Sequence, residues 1–486
     1  MADRLERALL AVRLVAERPD PLAPLGVGEL ATALGLTLST ASRLAAELDR
    51  CGMLERAGGY GDYRLGPAAI RLSGRAASPH ARATRFALTL AAQQTGETVL
   101  LAAACGERMR VVASVGSAWT LHASADLGTE VDDPGSAIRL AFAHPAGGVR
   151  ESTRGRVVEV AAPVLRPDGD CVAVLAVRLL VDRARGGVPR ARRALAAARR
   201  ELERTLITPE VPGPTPTSPA PPTTEASSIG RALEVLDVLA TEPRTIAAAA
   251  RAAGIGADRA HRILGSARRA GIVAVEPSGN ARISWGVHAW HRAVAEPLMR
   301  GLGAELVAAT ADATGECAFL TVLRGMRSFT LVEELEQAGD GLTMAPWLGR
   351  PHPIIGSDGG PTLAMDVDAD RLAELLPSRH TPHEIEVFAG RVRRVQRDGV
   401  ISFASIDDAG LFSISAPVRD ASGAVIAAAC MVGPVDAMRA RVRELEHETL
   451  ELAEAVSGLL AGTPQAVAPR SSRSPSTGTA RRSSAV

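Results

Sequence analysis

The chain contains no lysine: all 55 of its basic residues are arginine. That bias reads as base composition and carries no functional weight. Cysteine is scarce, with five residues (Cys51, Cys105, Cys171, Cys317 and Cys430) and no C-x-x-C spacing. An odd, dispersed set argues against a disulfide frame or a zinc ribbon, and for reduced thiols in a cytoplasm. No apolar run is long enough to cross a bilayer, so no membrane partner is expected. Arg4, Arg7 and Arg13 interrupt the apolar residues of the N-terminus, which reads as an amphipathic helix and not as a secretory signal. There is no Ser/His/Asp arrangement, phosphate loop or dinucleotide fingerprint, so neither an enzyme nor a cofactor is expected. His380, His383 and Glu384 resemble a metal cluster, but Pro382 breaks the helical register a zinc site needs. They read as a solvated helix start, and no metal is expected. The net charge is only +1, so any nucleic-acid contact must come from local patches.

What is present is a chain of 486 residues, enough for two to four domains. Hydrophobic content of 46% and charged content of 22% are globular values, while 31 Pro and 46 Gly point to linkers. Residues 27–66 are the most informative stretch. Val27, Leu30 and Leu34 stripe one helix, Gly35 and Leu36 make a turn, and Ala41, Leu44 and Leu48 stripe a second helix. Ser39, Thr40, Ser42 and Arg43 then face outward from the opening turns of that second helix. Short polar donors and an Arg there suit a helix that enters a DNA major groove. A hairpin with a glycine-rich tip follows, carrying Arg56 and Arg64 on its two arms, suited to phosphate contact.

The order then recurs. After an alternating, strand-rich stretch and a Pro-rich segment (208–228), helical stripes return at Ile229, Leu233, Leu236 and Leu239, then at Ile246 and Ala249, then at Ala260, Ile263 and Ala267. By eye Gly35 falls on Gly254, Arg43 on Arg262, Gly52 on Gly271 and Leu54 on Val273. A repeat of about half the chain predicts two fused copies of one architecture. In the second copy Arg259, His261 and Arg262 face outward, Asp258 occupies the first turn, and Arg282 sits on the wing. Arg268 and Arg269 follow, where a DNA contact and a solvated face are both open.

At these residues the chain resembles two tandem members of the isocitrate-lyase-regulator (IclR) family. The resemblance rests on Ser39-Thr40-Ala41-Ser42-Arg43-Leu44, on Tyr63-Arg64-Leu65-Gly66, and on a late hairpin. That hairpin is Ser413-Ile414-Ser415-Ala416-Pro417-Val418 with Ser422-Gly423 in one copy, and Val158 to Val164 with Asp168-Gly169 in the other. It implies an α+β fold of two winged helix-turn-helix domains, each followed by a GAF-like α/β effector-type domain with an antiparallel sheet, the first truncated. The implied boundaries are 1–77, 78–207, a linker at 208–228, 229–290, 291–461 and a disordered tail at 462–486. Departures are Leu38 and Ala257, where the family usually opens its reading helix with a polar or basic residue, and the missing acidic run before the late hairpin (Phe403 to Ile406). The first copy also lacks counterparts of the helices at 368–398.

The expected function is a cytoplasmic, nucleoid-associated transcriptional regulator. Its expected partners are double-stranded operator DNA, a small-molecule effector and, optionally, a second copy of the chain. DNA contact is expected from Ser39, Thr40, Ser42, Arg43, Arg64, Arg259, His261, Arg262 and Arg282, with Arg43 and Arg262 forking onto guanine. The resemblance places the effector between Ser357, Asp358 and Gly359 on one side and Ser413 and Ser415 on the other. Asp358 there favours a neutral or amine-bearing ligand. In the first copy Glu159 replaces Ser413, which leaves that domain as a dimerisation surface. A linker of about twenty residues spans roughly 25 Å as a coil and about 60 Å as polyproline, so one chain could reach both half-sites of an imperfect palindrome. Open alternatives are a ligand-sensing protein with degenerate heads, an enzyme built on the sensor fold, and a purely structural first copy.

Overall fold

The computed structural model describes residues 3–210, 227–335, 344–376, 380–405 and 409–463. Most of the Pro-rich linker, Asp407 and Asp408, and most of the tail expected to be disordered lie outside the described residues. The first head consists of α1 (Arg4–Ala16), β1 (Leu25–Gly26), α2 (Val27–Leu34), α3 (Leu38–Arg50), β2 (Leu54–Arg56), β3 (Asp62–Leu65) and α4 (Pro67–Ala77). Its three strands pair in the order β1-β3-β2. The first lobe follows with α5 (Ala81–Thr95), β4 (Thr98–Cys105), β5 (Arg108–Val115), α6 (Ala137–Ala143), β6 (Arg150–Arg154), β7 (Val157–Leu165), β8 (Cys171–Leu180) and α7 (Ala184–Ile207). Its sheet is antiparallel throughout and runs β5-β4-β8-β7-β6.

The second head holds α8 (Ser228–Thr241), β9 (Arg244–Thr245), α9 (Ile246–Ala252), α10 (Ala257–Arg269), β10 (Val273–Val275) and β11 (Asn280–Ile283). A connector made of α11 (Trp290–Leu298) and α12 (Ala304–Thr314) leads to the second lobe. That lobe contains β12 (Cys317–Arg324), β13 (Arg327–Glu334), β14 (Pro351–Pro353), α13 (Gly360–Leu363), α14 (Leu372–Leu375) and α15 (Pro382–Asp398). It closes with β15 (Ile401–Ala404), β16 (Leu411–Arg419), β17 (Val425–Pro434), α16 (Val435–Ala440) and α17 (Val442–Leu460). The sheet order is β14-β13-β12-β17-β16-β15.

Two differences from the sequence reading stand out. The sequence pattern predicts one amphipathic helix from Pro434 to Leu460; it is divided at Arg441, whose φ of −119° leaves the helical region. The edge strand β6 was not anticipated: Arg-Glu-Ser-Thr-Arg has no apolar alternation, and only its pairing with β7 makes it a strand.

The heads match at one constant offset, with α3 against α10 (Leu38 and Ala257, Arg50 and Arg269) and β2 against β10. Leu36 N–H donates to Ala31 at 2.8 Å, and Ile255 N–H donates to Ala250 at 3.0 Å. Gly35 and Gly254 turn with φ of 60° and 64°, the left-handed region where a side chain is strained. The two heads share one apolar core, in which Leu9, Val12 and Leu48 pack with Ile229, Leu236, Ala267 and Trp290. Where α4 meets α11, Ser73 Oγ lies 2.8 Å from His291 Nδ1 and donates to the Val287 carbonyl at 2.6 Å.

Lobes and heads interlock across the halves. The β16–β17 turn of the second lobe lies on α4, where Gly74 packs so tightly on Ala421 that a Cβ would come within 2.4 Å of it. Arg85 of α5 donates to the carbonyls of Val425 and Leu363 in the second lobe. His80 stacks on Trp285 at 4.9 Å, and burial lowers its pKa to about 4.

Candidate nucleic-acid interface and effector cleft

On α3, Thr37 caps the helix by accepting from the Thr40 N–H, and its hydroxyl lies 2.8 Å from Thr40 Oγ1 and 3.3 Å from Ser39 Oγ. A satisfied N-cap holds the first turn rigid and leaves Ser39, Thr40, Ser42 and Arg43 exposed on one side. Arg43 Nε reaches back to the Ser39 carbonyl at 3.3 Å, and among the described residues no carboxylate lies within 4 Å of it. On α10, His261 and Arg262 are exposed and Arg259 is half-buried. None of these three forms an ion pair among the described residues.

The remaining arginines are spoken for to different degrees. Arg64, on the first wing, pairs with Glu55 across the strand register at 2.9 Å and stays partly exposed. Arg282 occupies the second wing but does not reach solvent: it is 9% exposed, 3.3 Å from Asp170 and 3.7 Å from Glu276. The β7–β8 turn of the first lobe covers this wing and brings Asp170 with it. A phosphate at Arg282 would meet two carboxylates, so the expected DNA contact there is corrected to a structural ion pair. Arg269 lies on the exposed face and pairs there with Glu6 at 2.7 Å and Asp3 at 3.0 Å, linking α10 to α1 of the other head.

The expected effector residues lie together in the second lobe. Ser413 and Ser415 sit on the same face of β16, opposite Val432 and Cys430 of β17. Ser415 Oγ is 2.7 Å from Thr362 Oγ1 of α13 and donates to the Asp358 carbonyl at 3.4 Å. Ser328 donates to Ser357 Oγ at 2.6 Å. Gly359 has to be glycine: a Cβ there would lie 2.4 Å from Thr321 Cγ2 and 3.1 Å from Cys430 Sγ. Ser413 is fully buried, and its hydroxyl has no hydrogen-bond partner among the described residues. A buried hydroxyl left unpaired costs stability, and a ligand group could recover that cost.

Sequence reading missed Arg391 on α15. Its guanidinium lies 4.3 Å over the Phe403 ring. Burial pushes its pKa down, and the Asp358 carboxylate offsets part of that. Asp358 is therefore met by a cation from within the protein. One Arg among four on α15 gives no sequence signal; only the packing of the helix selects it. At the start of the same helix Glu384 closes a capping box with Thr381. Among the described residues, no group of three or more His, Cys, Asp or Glu is placed to hold a metal.

The first lobe has a cleft of about 380 Å³ at the corresponding place. There Glu159 stands opposite Arg178 across the β7–β8 register, accepting from its Nε at 3.0 Å and from the Ile138 N–H at 3.2 Å.

No curated protein matches the chain. Among solved structures, an IclR-family regulator from Rhodococcus is 17% identical, aligned over 51% of this chain and 99% of its own, with a TM-score of 0.37. HmgR of Pseudomonas aeruginosa is 23% identical over 47% of this chain and 96% of its own, with a TM-score of 0.31. An IclR homologue from Microbacterium hydrocarbonoxydans, solved with 4-hydroxybenzoate, is 20% identical over 48% of this chain and 99% of its own, with a TM-score of 0.29. Residues 4–58, within the first head, match the IclR helix-turn-helix domain.

Proposed function

We propose that the chain is a sequence-specific transcriptional regulator in which one polypeptide supplies two reading helices, governed by a small-molecule effector held in the second lobe. The observation that carries this reading is the pairing of the heads. Helices α3 and α10 have the same length and the same register, each presents an arginine (Arg43 and Arg262) without an acid partner among the described residues, and the heads share one core. Such a chain is a fused pair of copies, divided at the boundaries given above, and needs no second chain to fill two half-sites.

On this reading Ser39, Thr40, Ser42, Arg43, Arg259, His261 and Arg262 meet base edges or nearby phosphates, and Arg64 meets the backbone. The two heads read different half-sites, because their outward residues differ. Ser413 and Ser415, with Ser357, Asp358 and Gly359, take a neutral effector that supplies a partner for the orphaned Ser413 hydroxyl, the amine-bearing alternative being disfavoured by Arg391 beside Asp358. In the first lobe Glu159 and Arg178 already satisfy each other, so that lobe serves packing.

The test is a mobility-shift titration on genomic fragments at several salt concentrations, with footprinting. Each of Arg43→Ala and Arg262→Ala should weaken the preferred site by roughly tenfold or more, since a good bidentate contact to guanine is worth about 1–3 kcal/mol. The double variant should lose site preference while remaining folded. Affinity unchanged in the double variant would sink the proposal. A second reading, heads that no longer read bases, draws on Leu38, which opens α3 and is 59% exposed where a polar donor is expected. A shallow salt dependence without sequence preference would favour it.

A further inference from the structure

A second cleft lies away from the serines, where three parts of the chain meet. Its walls come from the end of α1 and the residues after it, from Arg110 of β5 with the loop at Leu127 and Gly128, and from α11 with the turn before it. Its volume is about 440 Å³, within the range of roughly 300–1,000 Å³ common for small-molecule sites.

The charges in it do not balance. Glu17 is bracketed by Arg13 at 2.9 Å and Arg110 at 3.1 Å, and Glu296 by Arg300 at 2.9 Å and Arg324 at 3.2 Å. Each acid is thus met by two arginines, Arg110 being shared with Glu130 at 3.0 Å. Two further arginines line the cleft with no carboxylate within 4 Å among the described residues. Arg18 donates to the Ala23 carbonyl at 2.7 Å, and Arg292 to the Val112 carbonyl at 3.0 Å. Asp420, the acid whose field reaches Arg292, forms no ion pair with it within 4 Å and accepts from the N–H and hydroxyl of Ser422. Beside these cations the walls are apolar, formed by Leu127, Ala289, Ala293, Pro297 and Trp290. The indole N–H of Trp290 is buried without a hydrogen-bond partner among the described residues.

We propose that this junction cleft is a separate binding site for a small carboxylate with an apolar body, its anionic end on Arg292 and Arg18 and its body against Trp290 and Ala293. Charge-assisted bonds from a half-buried guanidinium are the strong kind, and the apolar walls reward a hydrocarbon or aromatic body. The site touches the first head, the first lobe and the connector at once. A ligand there ties those three parts together independently of the serine cleft.

The experiment is calorimetric titration of the full chain with benzoate, using benzamide as the neutral isostere. A Ser413→Ala/Ser415→Ala background removes any contribution from the other cleft. Saturable benzoate binding is expected in that background, with benzamide at least about tenfold weaker. Arg292→Gln and Arg18→Gln should each weaken benzoate by roughly tenfold. Ala293→Leu, which fills the cleft and leaves both cations in place, should do the same, so the inference does not hang on one variant that folds poorly. Absence of saturable benzoate binding in the native chain overturns it. So does benzoate affinity that survives Arg292→Gln and Ala293→Leu together, or that disappears in the serine background.

Discussion

The two lobes carry the same pair of long antiparallel strands in the same register, yet they treat the face beneath the short helix differently. In the first, Glu159 and Arg178 occupy one cross-strand pair and satisfy each other; in the second, the same pair is Ser413 and Val432. One substitution pair decides whether a strand face seals itself with an ion pair or leaves a hydroxyl waiting. The heads show the same lesson. Arg64 and Arg282 occupy corresponding strands, but only the first remains on the surface, because the turn bearing Asp170 covers the second. Similar frameworks come to differ through what packs onto them.

The largest expected effect comes from forcing the lobes to swap characters. Ser413→Glu places a carboxylate in a fully buried position opposite Val432. It should destabilise the chain by about 3 kcal/mol or more, the cost of a buried unpaired charge. Adding Val432→Arg should recover much of that loss in thermal unfolding. No recovery would show that cross-strand register does not explain the first lobe.

Next comes Arg282→Ala, expected to cost about 3 kcal/mol, the lower end for a broken buried pair, since Arg166 still holds Glu276 at 3.0 Å. Its thermal midpoint should fall while the preferred DNA sequence stays the same. An altered DNA preference with unchanged stability would restore Arg282 to the interface.

An effect of intermediate size is expected from acid. Burial lowers His80 to about 4 and also depresses His288 and His291, below an ordinary value near 6.5. Between pH 6.5 and 4 the unfolded chain then binds more protons than the folded one. Stability from these groups is present above pH 6.5 and drains away as pH falls towards 4. Unfolding midpoints measured between pH 7 and 5 should decline, and His80→Gln should flatten part of that slope. A midpoint independent of pH in this window would contradict neutral burial of the three rings.

The smallest effect belongs to Arg64→Ala. Its exposed pair with Glu55 contributes at most about 1 kcal/mol to folding, so stability should barely move. The salt dependence of DNA binding should become shallower by about one unit. Together with Arg282→Ala this separates the two wings by measurement.

Much of the secondary structure was legible because it rests on local rules. The 3.6-residue stripes located α3 and α10, and glycines marked the turns at 35 and 254. Gathering Ser357, Asp358 and Gly359 beneath Ser413 and Ser415 followed from a resemblance and not from spacing. The division at Arg441, the strand at 150–154 and the partner role of Arg391 escaped notice, since each depends on a distant neighbour.

By itself, then, the order of amino acids determined many of the helices and strands and the outward arginines of α3 and α10, because side-chain periodicity and turn chemistry act over a few residues. Tertiary structure alone decided which arginines are free, that Glu159 is answered by Arg178 and the Ile138 N–H, and that Arg18, Arg292 and Trp290 border one cleft. Charge and burial depend on what arrives from hundreds of residues away, and no local pattern encodes that arrival.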